Sequence, residues 1–286
     1  MNLSNEWKDY ECLDAGNGEK LERWGNVILR RPDPQAIWNV LDYSKWKKCD
    51  GFYHRSDKGG GYWEFNTKLK EYWTVNYKDL TFKVSPTNFK HTGIFPEQAY
   101  NWDYMMNKIN GKNIKVLNLF AYTGCATMAC SKAGADVVHV DASKGMIEWA
   151  KENMKLCHLE NNKIRFIVDD CLKFVLREKR RGNKYDAIIM DPPSYGRGPN
   201  NETWKFEDNL YTLINACLDI LSDKPLFFLV NSYTTGISNV VLENILKTTI
   251  NRKYKGIITS GELGLPIKRD NLVLPCGIYA RWEDSK

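Results

Sequence analysis

Three acidic residues each close a short apolar run of the sequence, and together they could hold a ligand. Asp141, Asp170 and Asp191 stand at the ends of runs that read as buried strands. In a doubly wound sheet the carboxyl ends of parallel strands meet at one edge, where ligands bind. The carboxylates are therefore candidates to accept hydrogen bonds from hydroxyl or amino groups. For each one alone, a helix N-cap or a solvated loop acid is an equally good interpretation.

The turn that follows the first of these strands limits the kind of ligand. It contains Gly124 but lacks the three-glycine fingerprint through which a dinucleotide fold approaches a pyrophosphate. Asp141 lies about 20 residues further on, the distance at which an acid reaches ribose hydroxyls. A nucleoside without phosphates satisfies both features, and S-adenosylmethionine is such a ligand. Asp170 could accept a hydrogen bond from an adenine amino group.

The sequence Asp191-Pro192-Pro193 is the candidate reaction centre. A carboxylate and a carbonyl held by two prolines could accept hydrogen bonds from a nucleobase and keep its nitrogen in line with a methyl donor. Such catalysis acts mainly through positioning. The alternative is a rigid loop that merely ends a strand.

The elements that position these residues alternate between strands and helices from Lys115 onward, which predicts a parallel sheet covered on both faces. We predict an α/β fold, a Rossmann-like doubly wound sheet that is mostly parallel and ends in an antiparallel hairpin around 266–271. Strands are predicted at 115–120, 136–140, 164–168, 185–190 and 226–230, and helices at 97–110, 124–133, 143–157, 171–180, 207–221 and 238–250.

The first 90 residues differ from the rest in sequence pattern, and we predict two domains, 1–90 and 91–286. Alternating apolar and polar residues predict a small, mostly β domain with possible substrate recognition, its strands at 26–31, 61–65, 72–77 and 81–84. Its segment 47–61 combines lysines, aromatic residues and glycines. It could stack RNA bases on its rings, or it could be a solvated turn with buried aromatic stems.

Composition restricts the broad class of protein. The 286 residues carry a net charge of +6, which is compatible with a nucleic-acid partner. No apolar stretch is long enough to span a bilayer and the first residues do not resemble a signal peptide, so a cytoplasmic location is expected. The eight cysteines form no Cys-x-x-Cys pair and only four histidines occur, so neither a metal site nor a disulfide framework is expected. The oligomeric state is left open.

Several motifs in a fixed order support a resemblance over roughly residues 88–282, namely Val116-Leu117-Asn118-Leu119-Phe120-Ala121-Tyr122-Thr123-Gly124, Val140-Asp141-Ala142-Ser143, Asp170-Cys171-Leu172 and Asp191-Pro192-Pro193. They resemble the class I S-adenosylmethionine-dependent methyltransferases of bacterial large-subunit ribosomal RNA, in particular the 23S 5-methylcytosine and 7-methylguanine group. The resemblance implies the fold, the cofactor and the residues that contact it: Phe95, Gln98, Asn118, Phe120, Ala121, Tyr122, Thr123, Gly124, Asp141, Ala142, Ser143, Asp170, Cys171 and Asp191.

The atom that receives the methyl group is predicted to be nitrogen. Methylation of cytosine at carbon 5 requires a cysteine nucleophile, which the related cytosine enzymes carry after the fifth strand. Here that position reads Asn231-Ser232-Tyr233, and Cys276 lies in the final hairpin, where a structural thiol is favoured. Amino methylases often carry an aromatic residue directly after the second proline, whereas this chain has Ser194 there and Tyr195 one position later.

RNA, expected to be ribosomal, is the predicted partner, and three residues are predicted to touch it. Tyr195, Arg197 and Lys205 follow the reaction loop and lie at the ligand edge of the sheet. The basic run 177–184 lies at the opposite edge, where a solvated helix C-terminus explains it. The alternatives are a cytosine carbon methyltransferase, a methyltransferase for a protein or small molecule, and an RNA-binding assembly factor without activity. An oxidoreductase that uses nicotinamide is a distant fourth.

Overall fold

The structure, a computed structural model, describes residues 1–56, 60–87, 90–269 and 271–285. Residue contacts divide the chain into two compact units. The first unit contains Asn2–Tyr100 and Leu263–Cys276, and the second contains Asn101–Glu262 with the C-terminal residues from Gly277 and with Met1. The division predicted from the sequence, 1–90 and 91–286, stays a prediction about folding units.

The first unit is built from short strands: β1 (Asn2–Leu3), β2 (Tyr10–Gly16), β3 (Glu19–Trp24), β4 (Val27–Pro32), β5 (Gly51–Arg55), β6 (Gly61–Phe65), β7 (Trp73–Tyr77) and β8 (Leu80–Val84). Strands β2 to β6 form one sheet in sequence order, and β7 pairs with β8. Asn17 and Gly18 join β2 to β3 with φ angles of 52° and 78°. Two such residues make the hairpin turn whose twist matches that of the strands.

The second unit contains the parallel strands β9 (Lys115–Leu119), β10 (Asp136–Asp141), β11 (Ile164–Val168), β12 (Ala187–Met190) and β15 (Phe227–Ser232). The long strands β16 (Gly256–Pro266) and β17 (Val273–Asp284) form the closing hairpin, and β17 pairs with β15 in the antiparallel sense. The helices are α1 (Ala99–Ile109), α2 (Cys125–Lys132), α3 (Lys144–Leu156), α4 (Cys171–Arg180), α5 (Phe206–Leu218), α6 (Asn239–Thr248) and α7 (Ile250–Lys253).

The strand order β16-β17-β15-β12-β9-β10-β11 shows where a ligand belongs. From β9 the chain proceeds outward through β10 to β11, and it then crosses to the other side of β9 to form β12. Such a reversal opens a crevice between the two strand ends, which is the general ligand site of doubly wound sheets. The α/β fold predicted from the sequence is confirmed, including the mostly parallel sheet, the antiparallel hairpin and the small β-rich region before it.

The strands of this sheet fold as the sequence pattern predicts because helices cover both faces. Every residue of β12 and of β15 is buried, as expected for a parallel strand with no solvent-facing side. The core beside them is formed by side chains of α4, α5 and α6, among them Phe174, Leu213 and Leu246. In the described part of the chain, no helix is long and apolar enough to cross a membrane.

The segment between β12 and α5 contains two strands that the sequence does not predict, in addition to β2, β3 and β5 of the first unit. The strands β13 (Tyr195–Arg197) and β14 (Thr203–Lys205) form a short antiparallel hairpin between β12 and α5. Glycine, proline and asparagine interrupt the alternation of this segment, so it reads as a loop. It is placed by tertiary contacts that are described below.

Candidate functional site

The turn after β9 has an unusual backbone that two hydrogen bonds hold in place. Phe120 and Tyr122 have φ angles of 53° and 52°, in the left-handed region that side chains rarely adopt. The Ala121 N–H donates to the Val140 carbonyl at 3.0 Å, and the Tyr122 N–H donates to Asp141 Oδ2 at 2.8 Å. The end of β10 therefore fixes the turn that follows β9, and strain of this kind is typical of ligand-binding turns.

A buried polar network lies beneath the same turn. Asn118 Nδ2 donates to Thr127 Oγ1 at 3.0 Å, and Thr127 Oγ1 lies 2.9 Å from His139 Nδ1. The hydroxyl can accept from the amide and still either donate to His139 Nδ1 or accept from it, so this hydrogen bond forms with either tautomer of the ring. Burial lowers the pKa of His139 to about 3, so this ring is neutral. Asn118, predicted to contact the cofactor, supports the turn, and its cofactor contact stays a prediction.

Gly124 closes the turn at a position where a larger residue would be strained and crowded. Its φ is 83°, and a Cβ atom there would lie 3.0 Å from Ala150 Cβ and 3.2 Å from His139 Cε1. Asn153 of α3 donates to the carbonyl of Thr123 at 2.9 Å. The turn is therefore packed closely against α2 and α3 and cannot shift outward without breaking these contacts.

Asp141 is positioned as an acceptor at the end of β10. Its Oδ2 accepts the Tyr122 N–H and its Oδ1 accepts the Ser143 N–H, each at 2.8 Å. Burial raises the pKa of the Asp141 carboxyl, while these two N–H groups act in the opposite direction by stabilising the carboxylate. Each oxygen keeps a second lone pair. The geometry suits a carboxylate that accepts two further hydrogen bonds from a diol such as a ribose.

The neighbouring predicted residues begin helices. Ser143 Oγ accepts the Met146 N–H at 3.4 Å at the start of α3, and Ala142 lies between it and Asp141. Asp170 caps α4, since its Oδ1 accepts the Lys173 N–H at 2.9 Å. The N-cap interpretation thus holds for Asp170, although one oxygen remains for a ligand, and its adenine contact stays a prediction.

Cys171, the first residue of α4, is buried beside the turn. Burial raises the pKa of its thiol, and a backbone hydrogen bond from Phe120 opposes that effect. Asp169, also buried, contacts the Arg177 guanidinium and accepts the Asp170 N–H at 2.9 Å. The thiol is thus neutral and apolar in character, which is compatible with packing against a flat base.

The Asp191 loop is tied to the turn and to the hairpin. The Asp191 N–H donates to the Leu119 carbonyl at 3.5 Å, which joins the ends of β12 and β9. The Pro193 carbonyl accepts the indole N–H of Trp204 at 2.7 Å, and the Trp204 ring lies 4.8 Å from that of Phe120. Trp204 therefore connects the loop, the hairpin and the turn, and sequence reasoning missed it.

Ser194 occupies the position where an amino methylase would carry its aromatic residue. Its Oγ lies 2.9 Å from Thr234 Oγ1, in the segment after β15, and its carbonyl accepts the Phe206 N–H at 3.0 Å. These bonds fix the loop from the other side of the crevice. Thr234 was not predicted, because only the fold brings it to a residue 40 positions earlier.

The hairpin brings the three predicted substrate residues together. Tyr195 pairs directly with Lys205, and Arg197 follows two residues after Tyr195, so all three share one face. That face is exposed, whereas Trp204 on the opposite face is buried. Lys205 has one weak ion pair, 3.8 Å from Asp208, and both partners are well exposed.

The basic run 177–184 is engaged in contacts within the second unit. Arg181 lies 3.0 Å from Glu178 Oε1, Lys179 lies 2.8 Å from Asp219, and Lys184 Nζ donates to the Asp219 carbonyl at 2.8 Å. These cations stabilise the end of α4 and its neighbours. The arrangement agrees with the interpretation of this run as a helix C-terminus.

Other predicted residues belong to the first unit. Phe95 precedes a 3-10 turn, Pro96–Gln98, in which Gln98 is buried. Cys276 Sγ donates to the Leu274 carbonyl at 3.5 Å, and burial raises the pKa of its thiol well above the usual range. The cofactor contacts of Phe95 and Gln98 stay predictions that rest on the resemblance alone.

A protein-family model and a solved structure both match most of this chain. A family model described as S-adenosylmethionine-dependent methyltransferase matches residues 51–250. A crystal structure of a SAM-dependent methyltransferase from Agrobacterium tumefaciens is 38% identical, with a TM-score of 0.94 over 99% of this chain and 92% of that one.

Two further matches are more distant or partial. The putative methyltransferase SMU.776, solved with SAH, shares the fold with a TM-score of 0.72 and 19% identity, over 97% of this chain and 76% of that one. The ribosomal RNA large subunit methyltransferase K/L of Colwellia psychrerythraea is 32% identical over 146 residues, which are 51% of this chain. The matches cover only 20% to 28% of the length of such curated relatives.

Proposed function

The chain belongs to the S-adenosylmethionine-dependent methyltransferases, and on that premise we propose that it methylates a base nitrogen of ribosomal RNA, with the 23S molecule as the expected acceptor. The predicted family, enzyme class and cofactor are confirmed by the matches to the family model and to the Agrobacterium enzyme. The acceptor and the modified atom are the proposal.

The residues at the switch point fit the cofactor. S-adenosylmethionine supplies an electrophilic methyl group on a sulfonium centre and contains a ribose but no phosphate. Asp141 offers fixed carboxylate oxygens for the ribose hydroxyls, and the turn 120–124 lacks the glycines that a pyrophosphate would need. The backbone of the turn would hold the methionine part, and Asp170 with Cys171 would hold the adenine.

The observation that carries the nitrogen assignment is the fixed Asp191-Pro192-Pro193 loop. The Pro193 carbonyl accepts a hydrogen bond from the indole N–H of Trp204. Among the described residues, no donor contacts the Pro192 carbonyl. The Asp191 carboxylate and the Pro192 carbonyl are thus suited to accept hydrogen bonds from a base amino group. They would orient its nitrogen lone pair toward the methyl group, and positioning of this kind can supply much of the rate enhancement.

The thiols of the chain support nitrogen over carbon. A carbon methyltransferase needs a thiolate to attack the base. Seven of the eight cysteines are buried and Cys276 is partly buried. Burial raises the pKa of both Cys171 and Cys276, which disfavours the thiolate. Neither thiol has the electropositive, accessible surroundings of a reactive cysteine.

Two observations support RNA as the acceptor. The curated relatives carry the name ribosomal RNA large subunit methyltransferase K/L. The outer face of the β13–β14 hairpin presents Tyr195, Arg197 and Lys205 beside the Asp191 loop. An aromatic ring between two cations suits a base flanked by phosphates.

The experiment is methyl transfer from labelled S-adenosylmethionine to ribosomal RNA taken from a strain that lacks this protein. Mass spectrometry of the nucleosides should identify an N-methylated base. Asp191→Ala should abolish turnover while cofactor binding persists, and Cys276→Ala should keep most activity. A methylated carbon, or trapping of the protein on RNA that contains 5-fluorocytosine and loss of that trapping in Cys276→Ala, would favour the cytosine reaction. Label appearing only in protein or in small molecules would exclude RNA.

A further inference from the structure

The first unit carries a row of side chains on one sheet face that has no part in the methyl-transfer site described above. The strand register places Arg30 opposite Phe52 across β4 and β5, and His54 opposite Tyr62 across β5 and β6. Phe52 and His54 are two residues apart on β5, so these four side chains project from the same face.

The row is a continuous series of ring contacts, in which the Phe52 and His54 rings are tilted by 51°. The Arg30 guanidinium lies 4.0 Å from the centroid of Phe52, and the rings of Phe52 and His54 are 3.9 Å apart. The His54 and Tyr62 rings are 4.9 Å apart and nearly parallel, at 18°. Tyr62 ends the row and is 64% exposed, so His54 supports one ring face and solvent reaches the other.

The charged groups near the row are two carboxylates and two lysines. Glu19 accepts from Arg30 Nε at 2.9 Å, and Glu64 lies within hydrogen-bond distance, 2.6 Å, of His54 Nε2. Next to the row lies the 3-10 turn Trp46–Lys48, whose Trp46 ring is 5.5 Å from the Arg30 guanidinium.

The 3-10 turn carries two lysines. Lys47 and Lys48 are exposed, and within the described residues neither has an acidic partner. The row therefore has exposed lysines near its Arg30 end and an exposed aromatic ring at its Tyr62 end. Single-stranded nucleic acid binds to such combinations, since a base stacks on the ring and phosphates further along the strand attract the cations.

We propose that this row is a docking site for single-stranded RNA, in which one unpaired base stacks on Tyr62 and the strand runs along the row, so that phosphates further along it lie near Lys47 and Lys48. The proposal rests on the proposed function in that it takes RNA as the substrate class, and it adds a second contact to the RNA besides the target base. Stacking tolerates any base, so this site holds the strand without reading its sequence.

The test uses the full chain and a short oligouridylate that carries one 2-aminopurine, whose fluorescence falls on stacking. Tyr62→Ala should weaken binding roughly five- to a hundredfold and abolish the quenching, because each base stacked on an aromatic side chain contributes on that scale. Tyr62→Phe keeps the ring and should bind as the wild type does. Tyr211→Ala removes another exposed tyrosine, on α5, and is the matched control. Lys47→Ala with Lys48→Ala should reduce the salt dependence of binding but preserve the quenching.

The possible outcomes distinguish the docking site from the proposed methylation of ribosomal RNA. Unchanged affinity and quenching in Tyr62→Ala, or equal losses in Tyr62→Phe and Tyr62→Ala, would overturn the stacking site and leave the proposed methylation intact. Loss of binding in Tyr62→Ala, together with a wild type that methylates no ribosomal RNA, would support the docking site and refute the acceptor. No binding of the oligouridylate by the wild type would overturn the docking site. The transfer of label from S-adenosylmethionine to ribosomal RNA would then test the proposed methylation separately.

Discussion

The indole N–H of Trp204 donates a hydrogen bond to the carbonyl oxygen of Pro193, with the nitrogen and oxygen 2.7 Å apart. The same ring packs on Phe120, which begins the turn after β9. One side chain therefore fixes the distance between the predicted reaction loop and the turn predicted to hold the methyl donor.

Replacing Trp204 by Phe should separate positioning from donor binding. Phenylalanine keeps a ring near Phe120 but cannot hold the Pro193 carbonyl, so the loop should shift. We expect kcat to fall roughly ten- to a hundredfold, on the scale of a small misplacement, with the Kd for S-adenosylmethionine changed by less than about twofold. Trp38→Phe is the control, since Trp38 makes an equivalent 2.7 Å bond to the Ala15 carbonyl in the first unit. Equal effects of both variants on kcat would contradict a role specific to the loop.

Asp141→Asn should weaken binding of S-adenosylmethionine. The amide keeps the shape of the side chain but loses the charge that accepts ribose hydroxyls, and hydrogen bonds to a charged group contribute about 1.5–3 kcal/mol. Isothermal titration calorimetry measures this loss directly. Asp136→Asn changes an acid at the other end of the same strand and should leave the affinity unchanged. An unchanged Kd in folded Asp141→Asn would remove this residue from the site.

Gly124→Ala should destabilise the protein more than the same change at Gly236. The two glycines have φ angles of 83° and 84°, so alanine bears the same backbone strain at both, about 1–2 kcal/mol. At Gly236 an added Cβ meets nothing within 4 Å, whereas at Gly124 it meets Ala150 at 3.0 Å. We expect the free energy of unfolding to fall by about 1–3 kcal/mol more at Gly124, as overpacking does. Urea unfolding measures the free energy of unfolding of both variants. Equal losses of stability would show that α3 shifts to accommodate the added Cβ at Gly124.

His139→Gln should flatten the acid dependence of stability. The folded pKa of His139 is about 3, well below the usual value near 6.5. Between these values the unfolded chain binds the additional proton, so the free energy of unfolding falls as the pH falls, by at most about 1.4 kcal/mol per pH unit for one group. The measurement is urea unfolding at several pH values between about 5 and 7, bracketing the ordinary pKa. The same substitution at the exposed His158 is the control for the change of residue type.

Arg197→Ala combined with Lys205→Ala should weaken RNA binding and lower its salt dependence. Each lost phosphate contact lowers the slope of log affinity against log salt by about one. Arg180→Ala combined with Arg181→Ala should do little, because Arg181 is paired with Glu178 at 3.0 Å. Binding curves at several salt concentrations compare the two pairs. Equal losses would show that RNA also contacts the end of α4.

The sequence predicts the second unit well because its strands are buried on both faces. Runs such as 187–190 contain only apolar residues, so local pattern and tertiary environment agree there. The strand β3 escaped prediction because charged residues dominate it. Glu22 of β3 is fully buried and accepts from Arg31 Nε at 2.6 Å, so the partner that makes it a core residue comes from another strand.

The candidate site likewise contains residues that the sequence predicts and residues that it does not. Asp141 and the Asp191 loop were predictable because they end apolar runs, and the order of the strands then brings them together. Trp204 and Thr234 were not, because their roles depend on contacts made only in the folded chain, with Pro193 and Ser194 respectively. Local sequence carries no signal for such partners.

The two faces of the β13–β14 hairpin differ, since one is anchored by packing and the other is exposed. Trp204 and the contact between Lys173 and Glu202 anchor it to the sheet and to α4, whereas Tyr195, Arg197 and Lys205 point away from those anchors. Substitutions on the outer face therefore leave these anchors intact. Under the proposed role of Tyr195, Arg197 and Lys205 in acceptor binding, the acceptor could change over evolutionary time while the loop that positions it stays in place.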